Sequence, residues 1–165
     1  MTRPEPRLRV LRPATTTGNG TMPRLSRLLA GMLLLFAVAV AAGEAELQAF
    51  ARGHGLADAD AFARTVTRLR EKGRLPASYL TKREAERLGW RPGADLCETA
   101  PGRSLGGDRF GNRERRLPMR PGRVWYEADL DFDCGRRGAK RLVFSSDGLI
   151  YLTVDHYETF REVPP

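Results

Sequence analysis

Four short stretches in the C-terminal part of the chain have the character of β-strands, in which successive side chains lie on opposite faces of a sheet. They read VWYEADLDF, AKRLVFSS and LIYLTV, and a fourth runs from His156 to Val163. The stretches follow one another closely along the chain. We therefore expect an antiparallel meander to form the second half of the fold.

Alternation within the first two stretches assigns residues to faces. In VWYEADLDF one face would carry Tyr126, Ala128, Leu130 and Phe132, and the other Trp125, Glu127, Asp129 and Asp131. In AKRLVFSS, Leu142 and Phe144 would lie on the apolar face, opposite Arg141. One face is thus expected to pack on helices. The opposite face is expected to gather Glu127, Arg141 and, at the far end of the sheet, His156.

Helical patterns precede these strands. Apolar residues recur at i, i+4 and i+7 in one segment, at Phe62, Val66 and Leu69. That spacing predicts a helix from Asp58 to Gly73, capped by Asp58 or Asp60 and closed by Gly73. Thr81 and Glu84 have the spacing of a capping box, which predicts the start of a second helix. A short helical turn is expected at Leu96–Thr99.

The segments between these elements are predicted as loops. LPASYL separates the first two helices, and the glycine-rich APGRSLGGDRFGN shows almost no periodicity. Helices followed by an antiparallel meander indicate an α+β fold, with N-terminal helices packed on a C-terminal antiparallel β-sheet. A chain of 165 residues has room for one such domain.

The first 43 residues differ in character from the rest. Arg24 and Arg27 precede LLAGMLLLFAVAVAAG, in which the apolar run from Leu28 to Ala42 spans 15 residues. A membrane span needs about 20 residues, so the run is better suited to a signal peptide. We therefore predict an N-terminal extension and signal peptide at 1–43 and a mature domain at 44–165. Met22 is a plausible true start, and an uncleaved N-terminal anchor is the alternative.

Charge and cysteine content fit an exported domain that binds phosphate. Without residues 1–43 the chain keeps 22 basic and 19 acidic residues, and only three of the basic ones are lysines. Arginine binds two phosphate oxygens at once, which favours a phosphate-bearing ligand. The two cysteines, Cys97 and Cys134, predict one disulfide in an exported chain, with two unpaired thiols as the alternative. No cysteine–histidine cluster with metal-site spacing occurs, so no metal site is predicted.

From Leu75 to Phe160 the chain resembles barnase and its relatives, the bacterial extracellular guanyl-preferring ribonucleases. The resemblance rests on LPASYLTKREAERLGW, APGRSLGGDRFGNRE, LPMRPGRVWYEADLDF and KRLVFSSDGLIYLTVDHYETF. It implies an endoribonuclease of the microbial ribonuclease fold, a hydrolase that cleaves single-stranded RNA 3′ of guanine. The expected route is transesterification to a 2′,3′-cyclic phosphate, followed by hydrolysis and without any cofactor.

The resemblance also implies a set of catalytic residues. RNA carries its own nucleophile, the ribose 2′-hydroxyl. Glu127 in WYEAD matches the family's general base, and His156 in TVDHY matches its general acid. An imidazole has an ordinary pKa of about 6.5, which suits an acid that works near neutral pH. Arg137 and Arg141 match the phosphate-binding arginines, and Lys82 matches the active-site lysine.

Base selection is implied for the FGNRE segment. Its residues are Phe110, Gly111, Asn112, Arg113 and Glu114. In the family, backbone N–H groups of this loop bind the guanine O6, and a glutamate accepts from guanine N1–H and N2–H. Tyr157 is expected to pack against the substrate. The chain departs from the family pattern at Gly111, Arg136 and Gly148, and in having Cys97 and Cys134.

Two other functions are compatible with parts of the sequence. A catalytically weak module of the same fold would bind RNA or another polyanion without turnover. A disulfide-linked interaction domain would use its basic residues for solubility alone. The resemblance further implies a small acidic, barstar-like inhibitor as partner, because an active ribonuclease endangers the cell that makes it. We expect a secreted or periplasmic monomer with no membrane attachment in the mature form.

Overall fold

A computed structural model describes residues 41–165 of the chain. The predicted signal run and the extension before it lie almost entirely outside these residues. Helix α1 occupies residues 41–53 of the described chain, and the later helices are α2 (Ala59–Lys72), α3 (Lys82–Arg87) and α4 (Leu96–Thr99). Within residues 41–165, no helix combines the length and apolarity that crossing a membrane would require.

The predicted helix ends are confirmed. Asp58 caps α2, its Oδ1 accepting from the Ala61 N–H at 2.8 Å. Gly73 closes the helix at φ 63°, a left-handed conformation that costs glycine little. The capping box of α3 is complete: the Glu84 N–H donates to Thr81 Oγ1, and the Thr81 N–H donates to Glu84 Oε2 at 2.8 Å.

A six-stranded sheet with the strands in sequence order forms the rest of the described fold. Its strands are β1 (Tyr79–Leu80), β2 (Ser104–Phe110), β3 (Trp125–Asp129), β4 (Arg141–Ser145), β5 (Ile150–Thr153) and β6 (Arg161–Glu162). β1 pairs with β2 in parallel, and every later pair is antiparallel. The architecture is therefore α+β, as predicted.

Two segments that were predicted as loops contain strands, and one segment that was predicted as a strand is mostly a turn. LPASYL contains β1, and APGRSLGGDRFGN contains β2. The prediction failed for β2 because it contains two glycines at a β-bulge, which hide its alternation. A Cβ on Gly106 would lie 2.7 Å from Tyr79 Cδ1, so packing of β1 on β2 requires glycine there. His156 lies in a turn at φ 56°, and the last strand is only Arg161–Glu162.

The main core lies between the helices and one face of the sheet, as the alternation predicted. It includes Phe62 and Val66 of α2, which pack with Ala128, Leu142 and Leu152 of the sheet. A second cluster surrounds Trp90, Leu96 and Leu105, and Phe132 packs against it rather than against the main core. The opposite sheet face has its own apolar cluster around Leu117, Trp125 and Val143.

The predicted disulfide is present. Cys97 and Cys134 are joined with a Cα–Cα distance of 5.4 Å, across a sequence separation of 37. The bond links α4 to the segment between β3 and β4. That segment also carries Arg137, so the disulfide ties one end of a site-bearing loop to a helix.

Candidate active site

The polar face of the sheet is centred on β3 and β4. Glu127 pairs in register with Val143, and Asp129 with Arg141, so the acidic side chains and the arginine extend from neighbouring strands. Glu127, Asp129 and Arg141 are all buried. Burying charged groups is costly unless they are paired, so their partners define the site.

Glu127 binds two other side chains of the site. Its Oε1 lies 3.1 Å from Lys82 Nζ, and its Oε2 accepts a hydrogen bond from Tyr157 Oη at 2.6 Å. Lys82 is the first residue of α3, and its backbone N–H donates to Asp108 Oδ2 at 2.9 Å. That bond fixes the start of α3 on β2. The ammonium group is thereby held beside Glu127.

Asp129 holds the two arginines. Nε and Nη2 of Arg137 each lie 2.6 Å from one of its carboxylate oxygens. Nε of Arg141 lies 2.9 Å from Oδ1, and Nη1 of Arg141 donates to the carbonyls of Gly138 and Lys140. The hydrogen bonds to Asp129 raise the pKa of Arg137, so its guanidinium stays charged. One buried carboxylate therefore pairs with both cations, with Arg137 through hydrogen bonds and with Arg141 through charge, since Nε of Arg141 makes no hydrogen bond within the described chain.

His156 is exposed in the turn after β5, and its backbone N–H donates to the Ala139 carbonyl at 3.3 Å. Asp155 stabilises that turn. Its carboxylate accepts from the Thr159 N–H and from Thr153 Oγ1, both at 2.9 Å. Hydrogen bonds from Thr159, followed by that from Thr153, lower the pKa of Asp155 to about 2. The turn is therefore fixed by a carboxylate that stays ionised, while the imidazole faces solvent.

Tyr157 lies between Glu127 and a neighbouring cavity. Its ring centroid is 4.9 Å from that of His156 and 5.1 Å from that of Phe110. Burial and the hydrogen bond to Glu127 raise the pKa of Tyr157 to about 12. The phenol is therefore a neutral hydrogen-bond donor at any pH where the protein works.

An open cavity of about 470 Å³ adjoins His156 and Tyr157. Its lining comprises Arg109, Phe110, Gly111, Asn112, Arg113, Glu114, Arg116, His156, Tyr157 and Glu158.

Glu114 is exposed, and its carboxylate makes no hydrogen bond or ion pair within residues 41–165. Asn112 is buried and stabilises the loop through two hydrogen bonds to Leu117. Its Nδ2 donates to the Leu117 carbonyl at 2.9 Å, and its Oδ1 accepts from the Leu117 N–H at 3.0 Å.

The predicted site residues fall into three connected groups. Glu127, Lys82 and Tyr157 contact one another through Glu127. Arg137 and Arg141 share Asp129. The segment from Phe110 to Glu114 lines one cavity with His156 and Tyr157. No predicted residue lies away from this face of the sheet.

Three polar contacts were not predicted. Asp129 was placed on the correct face by alternation, but no local pattern predicted its two partners. Asp108 was hidden by the bulge in β2. Arg116 lies two residues beyond the FGNRE segment and donates through Nη1 to the Tyr157 carbonyl at 3.0 Å and to the Glu158 carbonyl.

The arrangement places a carboxylate, an imidazole and three cations around one face. A carboxylate can accept a proton and an imidazolium can donate one, while paired guanidiniums can hold the oxygens of a phosphate. Preorganised cations of this kind stabilise negative charge that develops during a reaction. The site can thus carry out acid–base chemistry on a phosphate ester.

Comparisons with known proteins agree with this chemistry. The sequence model of the family described as ribonuclease matches residues 62–164. A ribonuclease of Bacillus pumilus is 48% identical over 120 residues, covering 72% of this chain and 74% of that protein. A ribonuclease of Bacillus intermedius is 50% identical over 111 residues, covering 67% and 68%. The crystal structure of ribonuclease Sa2 with guanosine-2′-cyclophosphate is 38% identical, covers 36% of this chain and 64% of that one, and gives a TM-score of 0.33.

Proposed function

Because this chain belongs to the family of barnase-like microbial guanyl ribonucleases and is a ribonuclease, we propose that it is a secreted endoribonuclease that cleaves single-stranded RNA 3′ of guanine. The observation that carries the proposal is the buried Glu127, which contacts Lys82 and Tyr157 beside the arginine pair on Asp129. An isolated polyanion-binding surface has no need of a buried acid among its cations, because the acid would weaken binding.

The chemical steps follow from these contacts. Glu127 accepts the proton of the ribose 2′-hydroxyl, whose oxygen attacks the adjacent phosphorus. Arg137, Arg141 and Lys82 stabilise the charge on the pentacoordinate phosphate. His156 donates a proton to the departing 5′-oxygen, which leaves a 2′,3′-cyclic phosphate. Hydrolysis then runs the same proton transfers in reverse, with water in place of the 5′-hydroxyl. Side chains fill every role, so we propose turnover without a metal ion.

Guanine preference is supported by the unpaired carboxylate of Glu114. The guanine edge offers two adjacent N–H donors, and a carboxylate accepts both. A base without these donors would leave the carboxylate desolvated and unpaired, which lowers its rate of cleavage. The rigid anchoring of Asn112 to Leu117 supports backbone recognition by the same loop.

Export is supported by the packing of α1. Residues 41, 42 and 44–46 are exposed, and Leu47 is the first buried residue of the described chain. A chain that begins between Ala42 and Glu44 would keep all of that packing. We propose cleavage there, and a monomeric, secreted product with an oxidised disulfide. Mass spectrometry of the culture or periplasmic fraction tests this proposal, and recovery of only full-length, membrane-bound chain would contradict it.

The proposed partner of this site in the producing cell is a small acidic protein of the barstar type. Lys82, Arg137 and Arg141 form a cationic cluster that attracts acidic side chains for the same reason that it attracts phosphate. We expect such an inhibitor to compete with RNA for the site.

Cleavage of total RNA in the presence of EDTA tests the proposed function. The purified chain should degrade RNA to fragments with 3′-terminal guanosine, whereas Glu127→Gln should not. Glu71→Gln, which changes an exposed carboxylate on α2, is the matched control and should behave as the wild type. Binding of RNA without cleavage by the wild type would instead establish a polyanion-binding module.

A further inference from the structure

Arg116 links the base-recognition loop to the turn that carries His156. Its Nη1 donates to the carbonyl oxygen of Tyr157 at 3.0 Å and to that of Glu158. Arg116 lies just after the FGNRE segment, and within residues 41–165 these are the hydrogen bonds that join this part of the chain to the turn at 154–158. A single side chain therefore spans two parts of the site that are 41 and 42 residues apart in sequence.

The turn has a conformation that needs such support. His156 has φ 56° and Tyr157 has φ 73°, and both are non-glycine residues in the left-handed region. Residues persist there only when their surroundings hold them. Asp155 holds the turn through Thr153 and Thr159, which belong to the same segment. Arg116 acts from outside that segment, on the carbonyl oxygens of the two residues that follow His156.

The loop end of this contact is rigid. Asn112 bonds to both the N–H and the carbonyl of Leu117, so the chain between them is closed into a fixed ring. Arg116 directly precedes Leu117, so its backbone belongs to this closed ring. Its guanidinium consequently sets the distance between the base-recognition loop and the turn.

We propose that Arg116 is a positioning residue that aligns His156 with the leaving 5′-oxygen of a guanosine bound to the loop. This inference rests on the proposed function, because it assigns Arg116 a part in that reaction. Without the guanidinium, the base and the scissile phosphate would still bind. The Ala139 carbonyl and Glu127 would still hold the N–H of His156 and the hydroxyl of Tyr157. The imidazole would be aligned less closely with the loop, and proton donation to the leaving group would slow.

The test compares two substrates that differ in their need for a proton. Guanylyl-3′,5′-uridine has a poor leaving group, whereas the 4-nitrophenyl ester of guanosine 3′-phosphate has a good one. For Arg116→Met we expect kcat on the dinucleotide to fall about tenfold to a hundredfold, as for a misplaced catalytic group. We expect KM on the dinucleotide, and both constants on the ester, to stay within about twofold.

A matched control and a conservative variant complete the experiment. Arg115 is exposed, and its side chain makes no hydrogen bond or ion pair within the described chain, so Arg115→Met removes the same charge without the contact. It should leave both substrates within about twofold of wild type. Arg116→Lys keeps one donor and should recover most of the rate on the dinucleotide. It also provides a folded variant if Arg116→Met is unstable.

The outcomes separate this inference from the proposed function. If the wild type cleaves neither substrate, the proposed function fails. If the wild type is active and Arg116→Met loses rate equally on both substrates, Arg116 does not act through His156. A loss confined to KM would make Arg116 a substrate contact, and kinetics equal to those of Arg115→Met would remove any role. Each of these last three results overturns the inference alone.

Discussion

Arg137 and Asp129 form a two-point ion pair, with both nitrogen–oxygen distances at 2.6 Å. The same carboxylate lies 2.9 Å from Nε of Arg141. If both arginines bind the phosphate, as proposed, the geometry of charge stabilisation depends on Asp129. We therefore expect Asp129 to act as a positioning residue, whose loss should affect both folding and rate.

Asp129→Asn should lower the free energy of unfolding by about 3–5 kcal/mol, the usual cost of leaving one partner of a buried ion pair uncompensated. The cost arises because the side chain of Arg141 is only 4% exposed, so water can replace little of the lost pairing. We also expect a lower kcat in the folded protein. Urea denaturation measures the first effect, with the exposed Asp133→Asn as control. A loss no larger than that of the control would show that Arg141 is stabilised by its carbonyl contacts alone.

Glu114→Ala should change base preference far more than it changes the rate of the chemical step. Two charge-assisted hydrogen bonds to guanine would be lost, so cleavage of GpU should fall at least about tenfold relative to ApU. Steady-state kcat/KM on the two dinucleotides measures the ratio. Glu158→Ala removes another carboxylate of the same cavity, and it should change both rates by a common factor. Equal losses for Glu114→Ala would move base recognition elsewhere.

Removal of the disulfide should reduce stability and leave turnover intact. For a loop of 37 residues, the chain-entropy account gives at most about 3.8 kcal/mol for the Cys97→Ala/Cys134→Ala variant. The rate should persist because Arg137 is held by Asp129, independently of the sulfur bridge. Thermal unfolding and dinucleotide kinetics below the melting temperature measure the two effects. A lower kcat in the folded variant would show that the bridge also positions the loop.

Stability should fall in acid as Asp155 and Asp147 take up protons. Hydrogen bonds from Thr159 lower the pKa of Asp155 to about 2, and the contact with Arg123 lowers that of Asp147. Groups with lowered pKa stabilise the fold fully above their unfolded pKa of about 4 and lose that contribution as the pH falls towards the folded value. The free energy of unfolding should therefore drop between about pH 4 and about pH 2.

Asp155→Asn tests the source of that acid sensitivity. The variant should be less stable at neutral pH, and its stability should fall less steeply in acid because one titrating group is gone. Thr159→Val removes the hydroxyl donor to Asp155 while keeping the backbone N–H donor, and should also make the slope shallower. Urea denaturation at a series of pH values provides the slopes. An unchanged slope in both variants would assign the acid sensitivity to other carboxylates.

The sequence predicted which polar residues lie together on one face of the sheet better than it predicted the backbone that carries them. Local signals such as the Thr81–Glu84 capping box depend on near neighbours, and the structure confirms them. The strand β2 was missed because Gly106 and Gly107 carry no alternating side chains. The need for glycine at Gly106 comes from Tyr79 in another strand, and Gly107 has a positive φ of 95°. His156 was placed in a strand because a left-handed φ at a non-glycine residue has no signature in sequence.

Contacts between charged residues that are far apart in sequence could not be predicted either. Alternation placed Asp129 on the face of Glu127, but the register of β3 with β4 decides that it meets Arg141. Arg116 contacts the Tyr157 carbonyl from a loop that Asn112 closes by its hydrogen bond to Leu117. Such pairings are set by tertiary distance, which no local pattern encodes.

The central claim is that Glu127 is the base and His156 the acid of RNA transesterification. Cleavage should then show a bell-shaped pH dependence, because one group must be deprotonated and the other protonated. His156→Ala should abolish the alkaline limb and most cleavage of the dinucleotide. Glu127→Ala should lower the rate on every substrate, since the 2′-hydroxyl must always lose its proton.

The most direct measurement is the rate of His156→Ala on guanylyl-3′,5′-uridine and on the 4-nitrophenyl ester, from about pH 4 to about pH 9. A nitrophenolate leaves without a proton, so the account predicts a large loss on the dinucleotide and a small one on the ester. An equal loss on the two substrates would contradict the role of His156 as general acid. Unchanged kinetics accompanied by lower stability would mean that the imidazole serves only the turn in which it lies.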